Sequence, residues 1–167
     1  RTNPWMQESS NKIIQAGEIV SFDTDMVGPY GYCADISRTY VEGNKFSDNQ
    51  KKLYLMAVEQ INHNSRLIKP GMSFKEFTEK SWVLPEEYYG NRYSVMVHGI
   101  GLCDEWPAIR YPTDGGERKG TFEKNMTITV ESYIGKVGGN EGAKLEQQYL
   151  VGQNSLELMS HHPLEDI

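Results

Sequence analysis

A chain of 167 residues is long enough for one domain with a real core and short for two. Its hydrophobic share of 38 % and charged share of 24 % are ordinary for a soluble globular protein. With 17 basic residues scattered among 23 acidic ones, the net charge is −6, which argues against nucleic acid or an anionic membrane surface as a partner. No apolar stretch approaches the roughly 20 residues that span a bilayer, and no basic-then-apolar signal segment opens the chain. Cys33 and Cys103 stand far apart in no CxxC pattern, so reduced thiols and a cytoplasmic location are expected. Arg1-Thr2-Asn3-Pro4-Trp5 reads as an interior loop, and the chain is therefore expected to be a fragment.

In chain order, residues 18–26 are expected to form a strand, with apolar Ile19, Val20 and Phe22 ahead of Asp23 and Asp25. Gly28-Pro29-Tyr30-Gly31 is turn chemistry, and 32–41 is the returning strand of a hairpin-like unit. A helix follows, with Ser47 as N-cap, Gln50 three residues on, and Leu53, Ala57, Val58 and Ile61 on one face. Pro70-Gly71 stops it. Ser73 and Glu76 open a second helix carrying Phe74, Phe77 and Trp82, which ends before Pro85. Apolar runs at 94–97, 126–133 and 144–151, separated by glycine-rich turns, read as strands of a mixed sheet. Among those turns, Gly138-Gly139-Asn140-Glu141-Gly142 is too irregular for a phosphate loop and reads as a hairpin turn. The layout is α+β, with helices gathered on one side.

Several acidic residues are embedded among apolar and β-branched neighbours, where an unpaired charge is costly to bury. Asp23 and Asp25 are two apart, which on a strand puts them on one face. Asp35 lies in the returning strand, Glu131 follows Thr129 and Val130, and Glu146 follows Leu145. His98 ends the run Val95-Met96-Val97 and precedes Gly99-Ile100-Gly101. Five carboxylates and one imidazole form a hard, oxygen-rich set suited to Fe, Mn, Co or Zn. They carry more negative charge than one divalent ion needs, so two ions bridged by carboxylates are expected. The adjacent His161 and His162, in a Ser-His-His-Pro tail, are expected to face solvent.

The order Asp, Asp, His, Glu, Glu over successive strands resembles that of the superfamily of methionine aminopeptidase, prolidase and aminopeptidase P, which shares the pita-bread fold. Gly31-Tyr32-Cys33-Ala34-Asp35-Ile36-Ser37-Arg38-Thr39 is similar to that superfamily's stretch around its second metal aspartate. His98-Gly99-Ile100-Gly101 is similar to the stretch holding its metal histidine, and Glu131 and Glu146 match its two metal glutamates. The resemblance implies a curved mixed or antiparallel sheet with helices on its outer face. It also implies that residues 1–167 are only the C-terminal metal-binding part of a catalytic domain, and that the complete protein is a homodimer.

Two departures point within the superfamily. Its peptidases place a second histidine shortly after the metal histidine, whereas this chain reads Cys103-Asp104-Glu105-Trp106-Pro107. Asp25 adds a carboxylate where the peptidases usually carry a small or apolar residue. Both features resemble the dimethylsulfoniopropionate lyases built on this fold, which are iron-dependent and release dimethyl sulfide and acrylate. That resemblance implies a small sulfonium substrate, two divalent ions (iron, with Mn, Co or Zn as alternatives) held by Asp23, Asp25, Asp35, His98, Glu131 and Glu146, and Asp104 as base. A dry pocket near Trp106 would raise the basicity of Asp104. Tyr93, five residues before His98, is the second catalytic candidate, as a ligand of metal or substrate. Trp5, Trp106 and the tyrosines are available to face the sulfonium. The rival readings are a dinuclear-metal aminopeptidase or Xaa-Pro dipeptidase, and a non-catalytic binding module.

Overall fold

The computed structural model describes residues 11–43, 45–115 and 119–167. A hairpin opens it, cut into four short strands: β1 (Ile19–Asp23), β2 (Met26–Val27), β3 (Cys33–Ala34) and β4 (Ser37–Val41). β1 pairs antiparallel with β4, from Ile19 opposite Val41 to Asp23 opposite Ser37, and β2 pairs with β3. The reversal is where Gly28, Pro29 and Gly31 place it, closed by the Gly28 N–H donating to Tyr32 O at 2.7 Å.

The uninterrupted strands expected over 18–26 and 32–41 are not formed. Both break at one level, at Thr24 and Asp25 on the outgoing side and at Asp35 and Ile36 on the return. Asp25 has a φ of 23°, which an extended strand cannot hold. The Thr24 hydroxyl lies 3.1 Å from both the N–H and the C=O of Ile36 and stands in for the missing ladder bonds. Asp25 and Asp35 are therefore carried by a shared break, not by strand alternation with Asp23.

The helix expected after Ser47 is α1 (Asp48–Leu67). Its capping box is reciprocal: Ser47 Oγ accepts from the Gln50 N–H, and Gln50 Oε1 accepts from the Ser47 N–H at 2.9 Å. Leu53, Tyr54, Ala57 and Ile61 are buried along one face, while Val58 is only half-buried. Full burial of a side chain the size of Leu or Ile contributes about 1.5–3 kcal/mol, so this stripe fixes the helix to whatever it covers. Gln60, buried in the same stripe, donates to Tyr111 Oη and accepts from Ser132 Oγ. α2 (Phe74–Lys80) starts at Ser73, whose hydroxyl accepts from the Glu76 N–H at 3.0 Å. Its Phe74 and Phe77 meet Phe122 edge-on, with ring centroids 4.9 and 5.7 Å apart. It ends before Trp82, which the sequence pattern had placed inside it. A further helical turn, α3 (Glu86–Tyr89), is too short to show periodicity.

The main sheet comprises β5 (Val95–Gly99), β6 (Ala108–Arg110), β7 (Thr127–Gly135), β8 (Gly142–Val151) and β9 (Leu156–Leu158), in the order β6-β5-β7-β8-β9. Every pairing in it is antiparallel, so the mixed sheet of the sequence reading resolves to an antiparallel one among the described residues. β5, β7 and β8 are the three expected strands, whereas β6 and β9, three residues each, are too short to alternate visibly. The glycine-rich segment after Lys136 turns β7 into β8 as a hairpin, with Gly138 at a φ of 71°. α1 packs on β7 and β8. β4 docks beside β8 through Thr39, whose Oγ1 donates to Lys144 O (2.7 Å) and accepts from the Lys144 N–H (3.0 Å). Buried Arg38 adds donations to Glu146 O and Gln147 Oε1, both at 2.7 Å.

Candidate metal centre

Strand register assembles one side of the site. Glu131 on β7 stands directly opposite Glu146 on β8, and His98 on β5 stands opposite Thr129, two residues before Glu131. Residues two apart on a strand share a face, so His98, Glu131 and Glu146 project into the same space. His98 Nε2 lies 3.1 Å from Glu146 Oε1, 3.7 Å from Asp35 Oδ2 and 3.8 Å from Glu131 Oε1. All four side chains are buried. His98 Nδ1 is 3.0 Å from Gly99 O, and an imidazole that donates there turns its second nitrogen toward the carboxylates. Gly99 itself has no room for a side chain, because a Cβ would collide with the Trp106 carbonyl.

The broken hairpin supplies the other side. Ligand-type atoms of Asp35, His98 and Glu146 lie within 4.8 Å of one another, and so do those of Asp25, Asp35 and Asp104. Asp35 belongs to both groups. Asp23 sits at the rim, its side chain 37 % exposed, with Oδ1 2.5 Å from Ser37 Oγ. The same hydroxyl lies 3.0 Å from Glu146 Oε2. All six residues singled out as ligands thus converge, although Asp25 and Asp35 arrive by a route that alternation did not foresee.

The electrostatics are those of a cluster that demands positive charge. Burial, then the charges of Glu146, Asp23 and Asp25, push Asp35 up to about 9. Burial also lifts Glu131 to about 8, against the pull of Lys144. Burial alone would lower His98, but the Glu146 hydrogen bond and the charges of Glu131 and Glu146 raise it to about 10. Burial would raise Glu146, yet Lys144 and His98 hold it well below the usual carboxylate range. Asp35 Oδ1 and Glu131 Oε1 are buried without a hydrogen-bond partner. Leaving such oxygens unpaired is costly. Divalent cations held by these carboxylates would offer the unpaired oxygens a partner, so the residues present fit a metal, and their oxygen-and-imidazole chemistry suits Fe, Mn, Co or Zn.

Two residues of the site escaped the sequence reading. Lys144 is buried, and its ammonium bonds Glu131 Oε2 and lies 3.2 Å from Glu146 Oε2. Its signal was present, since it stands two residues before Glu146 on the same strand face. Ser37 sits in a strand-like run with nothing to mark it beyond its polarity.

The catalytic candidates border the cluster. The Tyr93 hydroxyl is 3.3 Å from Glu105 Oε1, and the Lys144 ammonium lies 5.0 Å from the Tyr93 ring centroid. Burial raises the Tyr93 phenol, so it stays protonated at neutral pH. Asp104 is partly exposed, and burial followed by the Asp25 and Glu105 charges raises its carboxyl, with His98 opposing. The dry pocket expected beside Trp106 is not what the described residues build: Trp106 is 59 % exposed and lines an open groove with Phe74, Pro107 and Lys119. Trp5 lies outside the described residues. His161 and His162 are exposed, as expected, with His162 Nε2 2.9 Å from Tyr40 Oη. Cys33 and Cys103 are both free thiols.

The description of metallopeptidase family M24 matches residues 1–153. The chain belongs to this family. Divalent metal ions are the cofactors of M24 enzymes, and this member carries candidate ligand groups for them. It is 41 % identical over 169 residues to the dimethylsulfoniopropionate lyase DddP of Roseovarius nubinhibens, and 38 % identical to the DddP of Roseobacter denitrificans. Each alignment takes in 99 % of this chain and 38 % of the relative, so the M24 chain described here spans well under half the length of either. Among solved structures it is similar to an Xaa-Pro dipeptidase from Bacillus anthracis, with a TM-score of 0.82 and 27 % identity over 99 % of this chain and 45 % of that one. The fold is thus the pita-bread fold of the M24 prolidases, of which this chain forms an open, incomplete part. No helix among its described residues is long and apolar enough to cross a membrane.

Proposed function

We propose that this chain is the C-terminal metal-binding part of the catalytic domain of a dimethylsulfoniopropionate lyase. Asp23, Asp25, Asp35, His98, Glu131 and Glu146 would hold two divalent ions, iron by preference. The observation that carries the reading is the placement of Asp104 against Asp25 and Asp35, with a single imidazole in the cluster. The chain has four histidines; His63 is engaged with Lys80 O and His162 with Tyr40, while His161 is exposed in the tail. A peptidase reaction would call for a second imidazole near the scissile amide, and the stretch after His98 where the peptidases carry it reads Cys103-Asp104-Glu105-Trp106-Pro107. The identity to two named lyases supports the same reading.

The ions those residues would hold would supply Lewis acidity, which offsets the negative charge that develops on the substrate. Asp104 takes the proton from the carbon next to that carboxylate. The electron pair left behind becomes the carbon–carbon double bond, the carbon–sulfur bond breaks, and the sulfonium departs as neutral dimethyl sulfide, leaving acrylate. The raised carboxyl of Asp104 makes it a better base than a free aspartate, and its partial exposure lets the proton pass on to solvent. Tyr93, held protonated, donates to the substrate carboxylate and orients it. An aromatic face attracts the sulfonium by about 0.5–2 kcal/mol, a role open to Trp106.

The test is to incubate the full chain with dimethylsulfoniopropionate and with proline dipeptides, measuring dimethyl sulfide and free amino acid. The expected result is sulfide and acrylate in equal amounts with no amino acid. Asp104→Asn should slow sulfide release by about 10²–10⁴-fold, the usual worth of a general base, with metal content unchanged. Amino acid without sulfide would overturn the lyase in favour of the dipeptidase that the Bacillus anthracis structure represents.

A further inference from the structure

Two segments of the site run side by side, and each carries a free cysteine. One is the hairpin stretch Cys33-Ala34-Asp35. The other is the loop of residues 100–106, closed at its base where the Gly99 N–H donates to Pro107 O at 2.9 Å. They meet at two levels. The Cys33 N–H donates to Gly101 O at 2.7 Å, and carboxylate oxygens of Asp35 and Asp104 lie within 4.8 Å of each other. Cys103 stands between those two contacts, two residues after Gly101 and next to Asp104. Consecutive Cα atoms are about 3.8 Å apart, so Cys103 is tethered within a short arc of Cys33. A disulfide needs Cα atoms about 4.4–6.8 Å apart, a span that a change of dihedrals within this irregular loop can reach. Burial, then the charges of Asp104, Cys103 and Asp35, push the Cys33 thiol up, which agrees with that proximity.

From this juxtaposition we infer that Cys33 and Cys103 form a thiol-oxidation site. It takes a low-molecular-weight disulfide as co-reactant and closes into an internal disulfide that withdraws Asp104 from the cluster. Exposure sets the order of events: Cys103 is exposed and Cys33 half-buried, so the Cys103 sulfur attacks the small disulfide first. A mixed disulfide forms on Cys103, and one small thiol leaves with the proton that Cys103 gives up. The Cys33 sulfur then attacks the Cys103 sulfur. The internal S–S bond forms, the mixed one breaks, and the second small thiol leaves with the Cys33 proton. Two protein thiols are thus oxidised by two electrons, and the small disulfide is reduced to two thiols. In the reduced form the Cys103 thiol lies 3.6 Å from Asp104 O. It must leave that contact to reach Cys33, and Asp104 turns with it, away from Asp25 and Asp35. A bond that displaces a loop is readily reduced again, the behaviour of a regulatory disulfide. The consequence for activity rests on the role proposed above for Asp104, whereas the formation of the bond does not.

The experiment treats the full chain, supplied with Mn²⁺, with oxidised glutathione. Peptide mass mapping without reductant reads the thiols, and dimethyl sulfide release is measured before and after dithiothreitol. Wild type should yield a Cys33–Cys103 cross-linked peptide pair that retains no glutathione. Its sulfide release should fall by about 10²-fold or more, the usual worth of a general base, and return on reduction. Cys33→Ser should stop at the mixed disulfide on Cys103. Cys103→Ser should match wild type before treatment and keep its activity in the oxidant. Wild-type thiols that stay free, a reaction that stops at the mixed disulfide, or sulfide release that survives complete cross-linking overturns the inference. If untreated wild type releases no sulfide, the lyase reading fails separately, and the presence or absence of the cross-linked peptide pair still decides the thiol site.

Discussion

The two sides of the metal centre are built by different means. His98, Glu131 and Glu146 stand on paired strands of the main sheet, their positions fixed by register and their side chains buried to within a few per cent. Asp25 and Asp104 sit where the backbone leaves regular structure, Asp25 at a φ of 23° and Glu105, beside Asp104, at a φ of 56°. Asp35 joins the two, since it lies in the hairpin break yet is as buried as the strand residues. A rigid sheet face defines where a cation sits, while a looser edge can adapt to a substrate. On the proposed reading, the sheet side would anchor a cation firmly and the loop side would adapt to the substrate.

Truncating one ligand from each side is the strongest way to break that comparison. His98→Ala should abolish tight metal binding and lower dimethyl sulfide release by about 10³-fold or more, the several kcal/mol a metal contributes. Asp25→Ala should cost about 10–100-fold, the loss typical of a supporting residue. Both are measured as metal content after dialysis and as kcat/KM. Equal losses at the two positions would remove the distinction.

What the sequence revealed follows the same division. His98, Glu131 and Glu146 were legible because strand alternation and flanking apolar runs are local signals. The capping box at Ser47 and Gln50, and the buried stripe of α1, were legible for the same reason. The break in the hairpin was not, because Thr24 stabilises it by bonding Ile36, twelve residues away, and no local pattern announces such a bond. Asp25 and Asp35 therefore lie close to one another and to Asp104, but in a break where the sequence reading had continuous strands. Lys144 was overlooked because a lysine in a strand usually faces solvent, and only the opposing carboxylates explain its burial. The dry pocket around Trp106 was expected on chemical grounds, to raise the basicity of Asp104, and the described residues leave that side chain largely open.

Thr24 offers a finer test of the loop side. Thr24→Val keeps the β-branched shape and removes the hydroxyl that replaces the ladder at Ile36. The expected cost is about 1 kcal/mol of stability for the lost hydrogen bond, read as a lower Tm. Metal affinity should fall by about 10–100-fold, because Asp25 and Asp35 lose their common anchor. A variant with wild-type affinity would show that the break is held by other contacts, and that the loop side is less adaptable than its backbone implies.

The smallest effect is one of pH, and it sharpens the sheet side. After chelation, Glu131 and Asp35 keep their protons up to about 8 and about 9, whereas an unfolded chain releases both near pH 4. Between those limits the folded state binds more protons than the unfolded one, so stability falls as pH rises. His98 acts in the same sense: raised to about 10, it adds stability that is complete below about pH 6.5 and lost as pH climbs through its folded value. Thermal melts of the chelated chain should therefore show Tm declining steadily from pH 5 to pH 9. Restoring Mn²⁺ should reverse the slope, because a cation takes over the charge of the deprotonated carboxylates more effectively as protons leave. Parallel pH profiles with and without the ion would mean that the buried carboxylates of β7 and the hairpin break are not where the ion binds.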